Sequence, residues 1–322
     1  MRTSPSKATP SPCPSPAGRG NDATLIGNSP VRIDPLSTEA HHRSAMLASD
    51  LFSLSGKTVL ITGASGFLGR TMSEALLANG AKVTMLGRSD RLHTVRDELA
   101  AKYGEKNVTA HAVDMYDLKA FKKTLSEVMK EMGTVDVLIN NAHEMGPDTG
   151  FNKPDSKLED APLEYFEKNL AGGMFWPVLA MQAVFPGMKK KGKGSIINTC
   201  TMYSLVAPDP ALYAGTEKMN PAGYGSAKAA LMQLTRYAAS FWGPHGIRVN
   251  AIHPGPFSNT QDEGPNAVKK DDPFVQKLKD KTCLGRIGNP KELVGALLFL
   301  ASDASSYVTG QGISVDGGWT VR

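Results

Sequence analysis

Tyr224 and Lys228 are the residues of this sequence whose types and spacing most directly suggest chemistry. They begin and end the segment Tyr224-Gly225-Ser226-Ala227-Lys228, and on a helix this spacing places both side chains on one face. A tyrosine has a pKa of about 10 and is a poor base at neutral pH. Because a nearby ammonium favours the phenolate, Lys228 is expected to lower the pKa of Tyr224 and make it a general acid/base.

A glycine-rich segment near the start of the patterned chain is a candidate phosphate-binding loop. Its glycines permit a tight turn and a close approach of backbone to a pyrophosphate, and a following helix N-terminus supplies N–H donors. An ordinary tight turn is the alternative, but the position between the first predicted strand and the first predicted helix favours a dinucleotide. The candidate contacts are Gly63, Ser65, Gly66, Phe67, Leu68 and Gly69.

The residue after the second strand bears on which dinucleotide is bound. NAD-selective sites usually carry an acid there, which binds the ribose 2′-hydroxyl. This sequence has Gly87-Arg88 instead, so NADP(H) is favoured over NAD(H), with Arg88 pairing with the 2′-phosphate. An exposed loop arginine is the alternative. Asp114 and Met115, after the third strand, are candidate adenine contacts; alternatively, Asp114 caps the following helix.

Apolar periodicity from Leu54 onward predicts alternating strands and helices, and therefore a doubly wound parallel sheet of the Rossmann α/β type in one domain, residues 46–322. The predicted strands are Lys57–Thr62, Ala81–Leu86, Val108–Val113, Val135–Asn140, Ser195–Thr199, Ile247–Ile252 and Gly312–Val315. The main predicted helices are Arg70–Asn79, Asp117–Glu131, Pro162–Met188, Tyr224–Phe241 and Pro290–Ala301.

Residues 1–45 are rich in Pro and Ser and lack apolar periodicity, so they are predicted to be a disordered leader. A transit peptide and a translation start at Met46 are open alternatives. A formal charge of +5, three scattered cysteines and no apolar run long enough to span a bilayer favour a cytoplasmic protein. No nucleic-acid, membrane or metal partner is expected.

Taken together, these motifs resemble the short-chain dehydrogenase/reductase family in its compact, single-domain branch, from Leu54 to the C-terminus. Further matching pieces are Asn140-Asn141-Ala142, Asn169, Pro254-Gly255 and the final Gly310-Gln311-Gly312…Val315-Asp316-Gly317-Gly318. The resemblance implies hydride transfer between NADP(H) and a small carbonyl or alcohol substrate, in a homodimer or homotetramer. It also implies a catalytic group of four residues and further cofactor contacts from Asn141, Ala142, Pro254 and Gly255, besides Tyr224 and Lys228.

In that implied group, Tyr224 exchanges the substrate proton, and Lys228 lowers its pKa and holds the nicotinamide ribose. Asn169 helps to hold a water that links Lys228 to solvent. Thr201 stands at the position of the family serine; Thr199 or Ser204 could supply the hydroxyl instead.

Three departures from the family pattern are visible. The spacing Gly63…Gly66…Gly69 is similar to that of the extended branch, which acts on nucleotide sugars but has a longer C-terminal part. His143 replaces a glycine and either reshapes the pocket or is tolerated in a loop. An insertion between Thr201 and Tyr224 is similar to one in bacterial sugar-acid oxidoreductases, which favours a keto-sugar, sugar-acid or similarly polar substrate; a surface loop without substrate contact is the alternative. A catalytically weak nucleotide-binding scaffold is the other open reading.

Overall fold

A seven-stranded parallel sheet forms the centre of the protein, in a computed structural model that describes residues 47–259, 269 and 271–322. The prediction for residues 1–45 lies outside the described residues. Strand order is β3-β2-β1-β4-β5-β6-β7, as in a doubly wound fold. The strands are β1 (Thr58–Thr62), β2 (Lys82–Gly87), β3 (Val108–Ala112), β4 (Val137–Asn140), β5 (Gly194–Thr199), β6 (Ile247–Pro254) and β7 (Gly312–Val315).

The chain reverses its direction of travel across the sheet between β1 and β4. Ligands of open α/β sheets bind in the crevice at such a switch point, beyond the carboxyl ends of the strands. The central strands are buried on both faces, since every residue of β4 and of β5 is buried. This agrees with the nearly continuous apolar runs from which a parallel sheet was predicted.

Helices cover both faces of the sheet. Residues of the second, third and last α-helices share one apolar cluster, whereas those of the fourth, sixth and eighth share another on the opposite face. The helices are α1 (Ala48–Leu51), α2 (Phe67–Ala78), α3 (Arg91–Tyr103), α4 (Leu118–Met132), α5 (Leu163–Leu170), α6 (Trp176–Lys191), α7 (Pro210–Tyr213), α8 (Ala222–Trp242), α9 (Pro273–Lys281) and α10 (Val294–Ala301).

The helix predicted over Pro162–Met188 is interrupted in its middle. A π-helical turn at Ala171–Phe175 joins α5 to α6. The 29 residues Leu163–Lys191 are long and apolar enough for a membrane span, but Trp176, Met181 and Val184 are buried against the sheet, as in the core helix of a globular domain. Gly173 lies in this turn, where close packing against α8 requires a glycine. An added Cβ would stand 2.7 Å from the Cβ of Ala227 on α8. The π turn therefore packs closely against α8, the helix that carries Tyr224 and Lys228.

A buried polar chain connects two strands to α8 directly below their carboxyl ends. Asn140 Nδ2 donates to Asn198 Oδ1 at 2.8 Å, and Asn198 Nδ2 donates to Thr235 Oγ1 at 2.8 Å. All three side chains are at most 3% exposed. Because buried polar groups need partners, these bonds fix the lateral position of α8 relative to β4 and β5.

Replacing the central member of this chain tests its contribution to stability. Asn198→Ala leaves the Asn140 amide unpaired in the interior, so the free energy of unfolding is expected to fall by about 1–3 kcal/mol. Urea unfolding followed by circular dichroism measures it. Gln233→Ala, an exposed substitution on the same helix α8, is the control and should change stability by less than about 0.5 kcal/mol. Equal stability of the two variants would contradict this role.

Candidate active site

A cavity of about 560 Å³ opens at the carboxyl edge of the sheet, at the switch point. It collects residues predicted from seven separate parts of the sequence. On its wall are Gly63, Ser65, Gly66, Phe67, Leu68, Gly69, Arg88, Asp114, Met115, Asn141, Ala142, Thr201, Tyr224, Lys228, Pro254 and Gly255. Of the predicted site residues, only Asn169 is not on this wall; it is fully buried behind it.

The glycine loop is shaped by close backbone contacts. Gly63 has a φ of +65°, which favours glycine, and an added Cβ would lie 2.8 Å from the Ala142 Cα. A Cβ on Gly69 would overlap the carbonyl oxygen of Gly63. Asn141 donates its side-chain amide to that same oxygen at 3.1 Å, so the end of β4 holds the loop. Helix α2 begins at Phe67, inside the loop, and points its free N–H groups into the cavity region.

Arg88 lies at the end of β2 as predicted, but its guanidinium has a protein partner. Its Nη2 lies 3.0 Å from Glu144 Oε1, and this carboxylate raises the pKa of Arg88. The Arg88 side chain remains half exposed. A 2′-phosphate that binds Arg88 therefore competes with Glu144, a residue that sequence reasoning missed because it stands 56 positions away in the chain.

Asp114 lines the cavity and accepts a hydrogen bond from the backbone N–H of Tyr116 at 3.0 Å. The alternative that Asp114 caps the next helix is wrong. Asp117 is the N-cap of α4, where its carboxylate accepts from the N–H groups of Lys119 and Ala120. Asp114 thus keeps one carboxylate oxygen free of hydrogen bonds within the described chain.

Tyr224 and Lys228 lie in the first two turns of α8 and are almost completely buried, at 8% and 2% exposure. The Thr201 hydroxyl lies beside the Tyr224 phenol and acts to lower its pKa as a hydrogen-bonding neighbour. Lys228 donates its Nζ to the carbonyl oxygen of Thr199, at the end of β5, at 2.7 Å. The end of β5 thus fixes Lys228, and Thr201, two residues after Thr199, contacts Tyr224.

The expectation that Lys228 lowers the pKa of Tyr224 is wrong for the polypeptide alone. Burial raises the pKa of Tyr224 to about 12, although the hydrogen bond from Thr201 acts in the opposite direction. Burial also lowers the pKa of Lys228 to about 8. At pH 7 the tyrosine is therefore a neutral phenol and the lysine is mostly charged.

Thr201 is the best placed of the three candidate hydroxyls. Ser204 is engaged elsewhere, since its Oγ contacts the Thr201 carbonyl oxygen and lies 2.7 Å from His253 Nδ1. Thr199 lines the cavity too, but its buried Oγ1 has no hydrogen-bond partner in the described chain. Thr201 alone among them is a hydrogen-bonding neighbour of the Tyr224 phenol in the described residues.

The insertion after Thr201 does not contribute to the described cavity wall. Its helix α7 packs against α9 instead: Leu212 is buried, and Lys277 of α9 donates to the Leu212 carbonyl oxygen at 3.2 Å. Farther along, Met219 and Asn152 exchange two hydrogen bonds of 3.1 Å. The insertion therefore joins α9 to the loop that follows β4, and direct substrate contact from it stays a prediction.

Comparisons with known proteins agree with this geometry. A family model described as Enoyl-(Acyl carrier protein) reductase matches residues 63–320. A short-chain type dehydrogenase/reductase from Mycobacterium marinum has 32% identity and a TM-score of 0.72, covering 86% of this chain and all of that one. The chain belongs to the short-chain dehydrogenase/reductase family. It is a nicotinamide-dependent oxidoreductase, and the α/β fold predicted from its sequence is confirmed.

Several similar members of the family act on sugars or sugar acids. Gluconate 5-dehydrogenase of Gluconobacter oxydans is 36% identical over 279 residues, which cover 84% of this chain and 98% of that protein. Sorbose reductase of Schizosaccharomyces pombe is 35% identical over 276 residues, covering 85% and 100%. A gluconate 5-dehydrogenase from Burkholderia cenocepacia, solved with NADP and tartrate, has a TM-score of 0.73 at 27% identity, covering 86% and 100%.

The residues of this chain fit a nicotinamide dinucleotide. Gly63 and Gly69 leave a cradle that a Cβ would fill, and the N-terminus of α2 offers hydrogen-bond donors for a pyrophosphate. Farther along the cavity, the Thr199 hydroxyl is buried with no partner in the described chain and is available to a polar ligand group. The cradle and this hydroxyl stand on the same cavity wall.

Gly69→Ala tests the cradle. The added methyl group collides with the Gly63 carbonyl oxygen and must displace the loop, so NADPH and NADH should both bind more than about tenfold more weakly. Fluorescence titration measures both dissociation constants. Gly295→Ala is the matched control, because a Cβ there meets nothing within 4 Å and should leave both constants unchanged. Unaltered binding to the Gly69 variant would refute the assignment of this loop.

Proposed function

We propose that this enzyme interconverts a carbonyl and an alcohol with Tyr224 as the general acid/base. The observation that supports it most is that Thr201 and Tyr224 stand together on the wall of the dinucleotide-sized cavity, where the Thr201 hydroxyl is a hydrogen-bonding neighbour of the phenol. A carbonyl oxygen placed between these two hydroxyls accepts a hydrogen bond from each. That arrangement polarises the carbonyl and directs the substrate carbon toward the nicotinamide part of the cavity.

The protonation states of Tyr224 and Lys228 suit carbonyl reduction. A bound reduced nicotinamide supplies the hydride that forms the new C–H bond. Tyr224 is a neutral phenol at pH 7 and gives its proton to the carbonyl oxygen as the charge develops there. Thr201 donates a hydrogen bond to the same oxygen, and the buried Lys228 cation stabilises the phenolate that results. Proton uptake from solvent then restores the phenol.

A keto-sugar, sugar acid or similarly polar compound is the proposed substrate class. Gluconate 5-dehydrogenase, sorbose reductase and an L-rhamnose 1-dehydrogenase of Azotobacter vinelandii support it by their names. The cavity wall also carries polar groups that can bind a ligand, among them the Thr199 and Thr201 hydroxyls. A polyhydroxylated ligand needs several such hydrogen-bonding partners when it leaves water.

Tyr224→Phe separates an active reductase from a scaffold that only binds nucleotide. Loss of the phenol should lower kcat by about 10²–10⁴-fold, because general acid catalysis is worth that much, with NADPH affinity nearly unchanged. NADPH oxidation with a panel of keto-sugars measures the rate. Tyr237→Phe, which alters an exposed tyrosine of the same helix, should behave as the wild type. Full activity of the Tyr224 variant would overturn the proposed mechanism.

NADP(H) is the proposed cofactor form. Arg88 lies on the cavity wall at the end of β2, where a ribose 2′-phosphate is expected, and structures of gluconate 5-dehydrogenases from Burkholderia cenocepacia and Beutenbergia cavernae contain NADP. Glu144 offsets part of this preference, because its carboxylate neutralises the Arg88 guanidinium at 3.0 Å. The two side chains together set the cofactor preference.

Two opposite substitutions test this pair. Arg88→Ala should weaken NADPH binding by about tenfold or more while NADH binding is retained, since a charged hydrogen bond to the phosphate is lost. Glu144→Gln should tighten NADPH binding, because the guanidinium is no longer neutralised. The ratio of the two dissociation constants, from fluorescence titration, is the readout. An unchanged ratio in Arg88→Ala would remove the NADP(H) assignment.

A further inference from the structure

His143 is a partly buried imidazole on the cavity wall, placed against two members of the catalytic group, Asn169 and Tyr224. Its Nε2 lies 3.1 Å from Asn169 Oδ1. Its ring meets the Tyr224 ring edge-to-face, with 4.9 Å between the centroids. The nitrogen Nδ1 is buried beside Gly172 and has no hydrogen-bond partner within the described residues. At this position the family pattern has a glycine, which makes neither contact.

The hydrogen bonds of Asn169 determine which imidazole nitrogen carries the proton. Asn169 donates its two amide hydrogens to the carbonyl oxygens of Thr149 at 2.8 Å and Tyr165 at 2.7 Å. Its Oδ1 is therefore the atom that faces His143 and can only accept. His143 must donate from Nε2, and a neutral imidazole then has its lone pair on Nδ1. Asn169 and His143 form one directed hydrogen-bonded unit.

The water-holding role expected of Asn169 does not involve a free amide hydrogen in this protein. Both of its amide hydrogens are used by backbone carbonyl groups, and its oxygen is used by His143. A proton passed from His143 to this amide oxygen has no onward acceptor. The unit is consequently a fixed support and a seal, not a path for proton transfer.

The neighbouring backbone is shaped to admit the imidazole. Gly172 lies in the π-helical turn, and a Cβ there would stand 2.9 Å from His143 Nδ1. On another side of the tyrosine, Phe151 also meets the Tyr224 ring edge-to-face, at 5.1 Å. The phenol ring is thus held by two aromatic edges, one from each of two segments of the loop after β4.

The titratable groups around this unit are few. Lys228 and Tyr224 face it from α8, and Cys200 follows β5 beside that pair. Glu144, the next residue in the chain, is paired with Arg88. Burial and the positive charge of Lys228 lower the pKa of His143 to about 3, so the imidazole is neutral throughout the working range of pH.

We propose that His143 is a positioning residue, which fixes the Tyr224 ring against Asn169 and keeps water from the buried side of the phenol. This inference rests on the proposed role of Tyr224. Removal of the imidazole leaves a space that water can enter. The phenol then gains solvation and rotational freedom, and both changes oppose its action as an oriented acid.

His143→Gly and His143→Phe are the variants that test it. Gly opens the space, whereas Phe retains an aromatic edge and loses only the donor to Asn169. For His143→Gly we expect kcat to fall by about 10–100-fold, with substrate KM and NADPH affinity changed by less than about threefold. The pKa of the Tyr224 phenol, followed by difference absorbance against a Tyr224→Phe variant in the same background, should also fall, because a hydrated phenol loses its proton more easily. His143→Phe should recover most of that pKa.

The outcomes of these assays distinguish a positioning role of His143 from a purely structural one. A drop in kcat with an unmoved Tyr224 pKa, or a loss of NADPH affinity in proportion to kcat, would mean a structural role only and overturn the inference. A His143→Gly enzyme with wild-type kcat would do the same. Tyr224→Phe is assayed in parallel: if it is inactive while His143→Gly is fully active, the proposed function stands and this inference fails. If Tyr224→Phe retains activity, the proposed function itself fails.

Discussion

Burial of the Lys228 ammonium is the constraint on which the site depends. A cation with 2% exposure must recover the hydration that it loses, and here it donates to the Thr199 carbonyl oxygen at the end of β5. That bond sets the start of α8 against the strand end, which places Tyr224 against Thr201. The same lack of solvent moves both pKa values toward the neutral forms, up for the tyrosine and down for the lysine. A catalytic phenolate in this enzyme therefore requires additional positive charge, which an oxidised nicotinamide supplies when bound.

The features predictable from the sequence are those with local signals. Strand positions differ from the predicted ones by at most two residues at each end, because apolar runs between turn residues mark strands strongly. One of the two-residue differences is at β4, which is predicted from Val135 but starts at Val137. Asp136 there accepts from the N–H of Thr58 and ties the strand entry to β1. The structure also brings the predicted site residues other than Asn169 to one cavity, since the carboxyl ends of parallel strands meet at one edge.

Long-range contacts account for what sequence reasoning missed. The sequence around Arg88 gives no sign of its ion pair with Glu144. The sequence around His143 likewise gives no sign of its contact with the Asn169 amide. The π turn at Ala171–Phe175 lies between α5 and α6, where the chain packs against α8. The apolar periodicity of a single helix contains no information about such a contact, so it cannot predict the turn. The sign of the Tyr224 pKa shift was wrong for a similar reason. A one-turn spacing suggests an ammonium beside the phenol, but burial outweighs that effect, and the ammonium bonds to β5 instead.

Titration of the Tyr224 phenol is the most direct test of the claim that burial keeps it protonated until a cationic nicotinamide binds. Difference absorbance near the phenolate band, wild type minus Tyr224→Phe, isolates this tyrosine from the other seven. We expect Tyr224 to stay mostly protonated up to pH 11 in the polypeptide alone, and to have a clearly lower pKa once NADP⁺ is added. A Tyr224 phenolate that forms near pH 8 without the dinucleotide, or a pKa that does not move when it binds, would contradict the account.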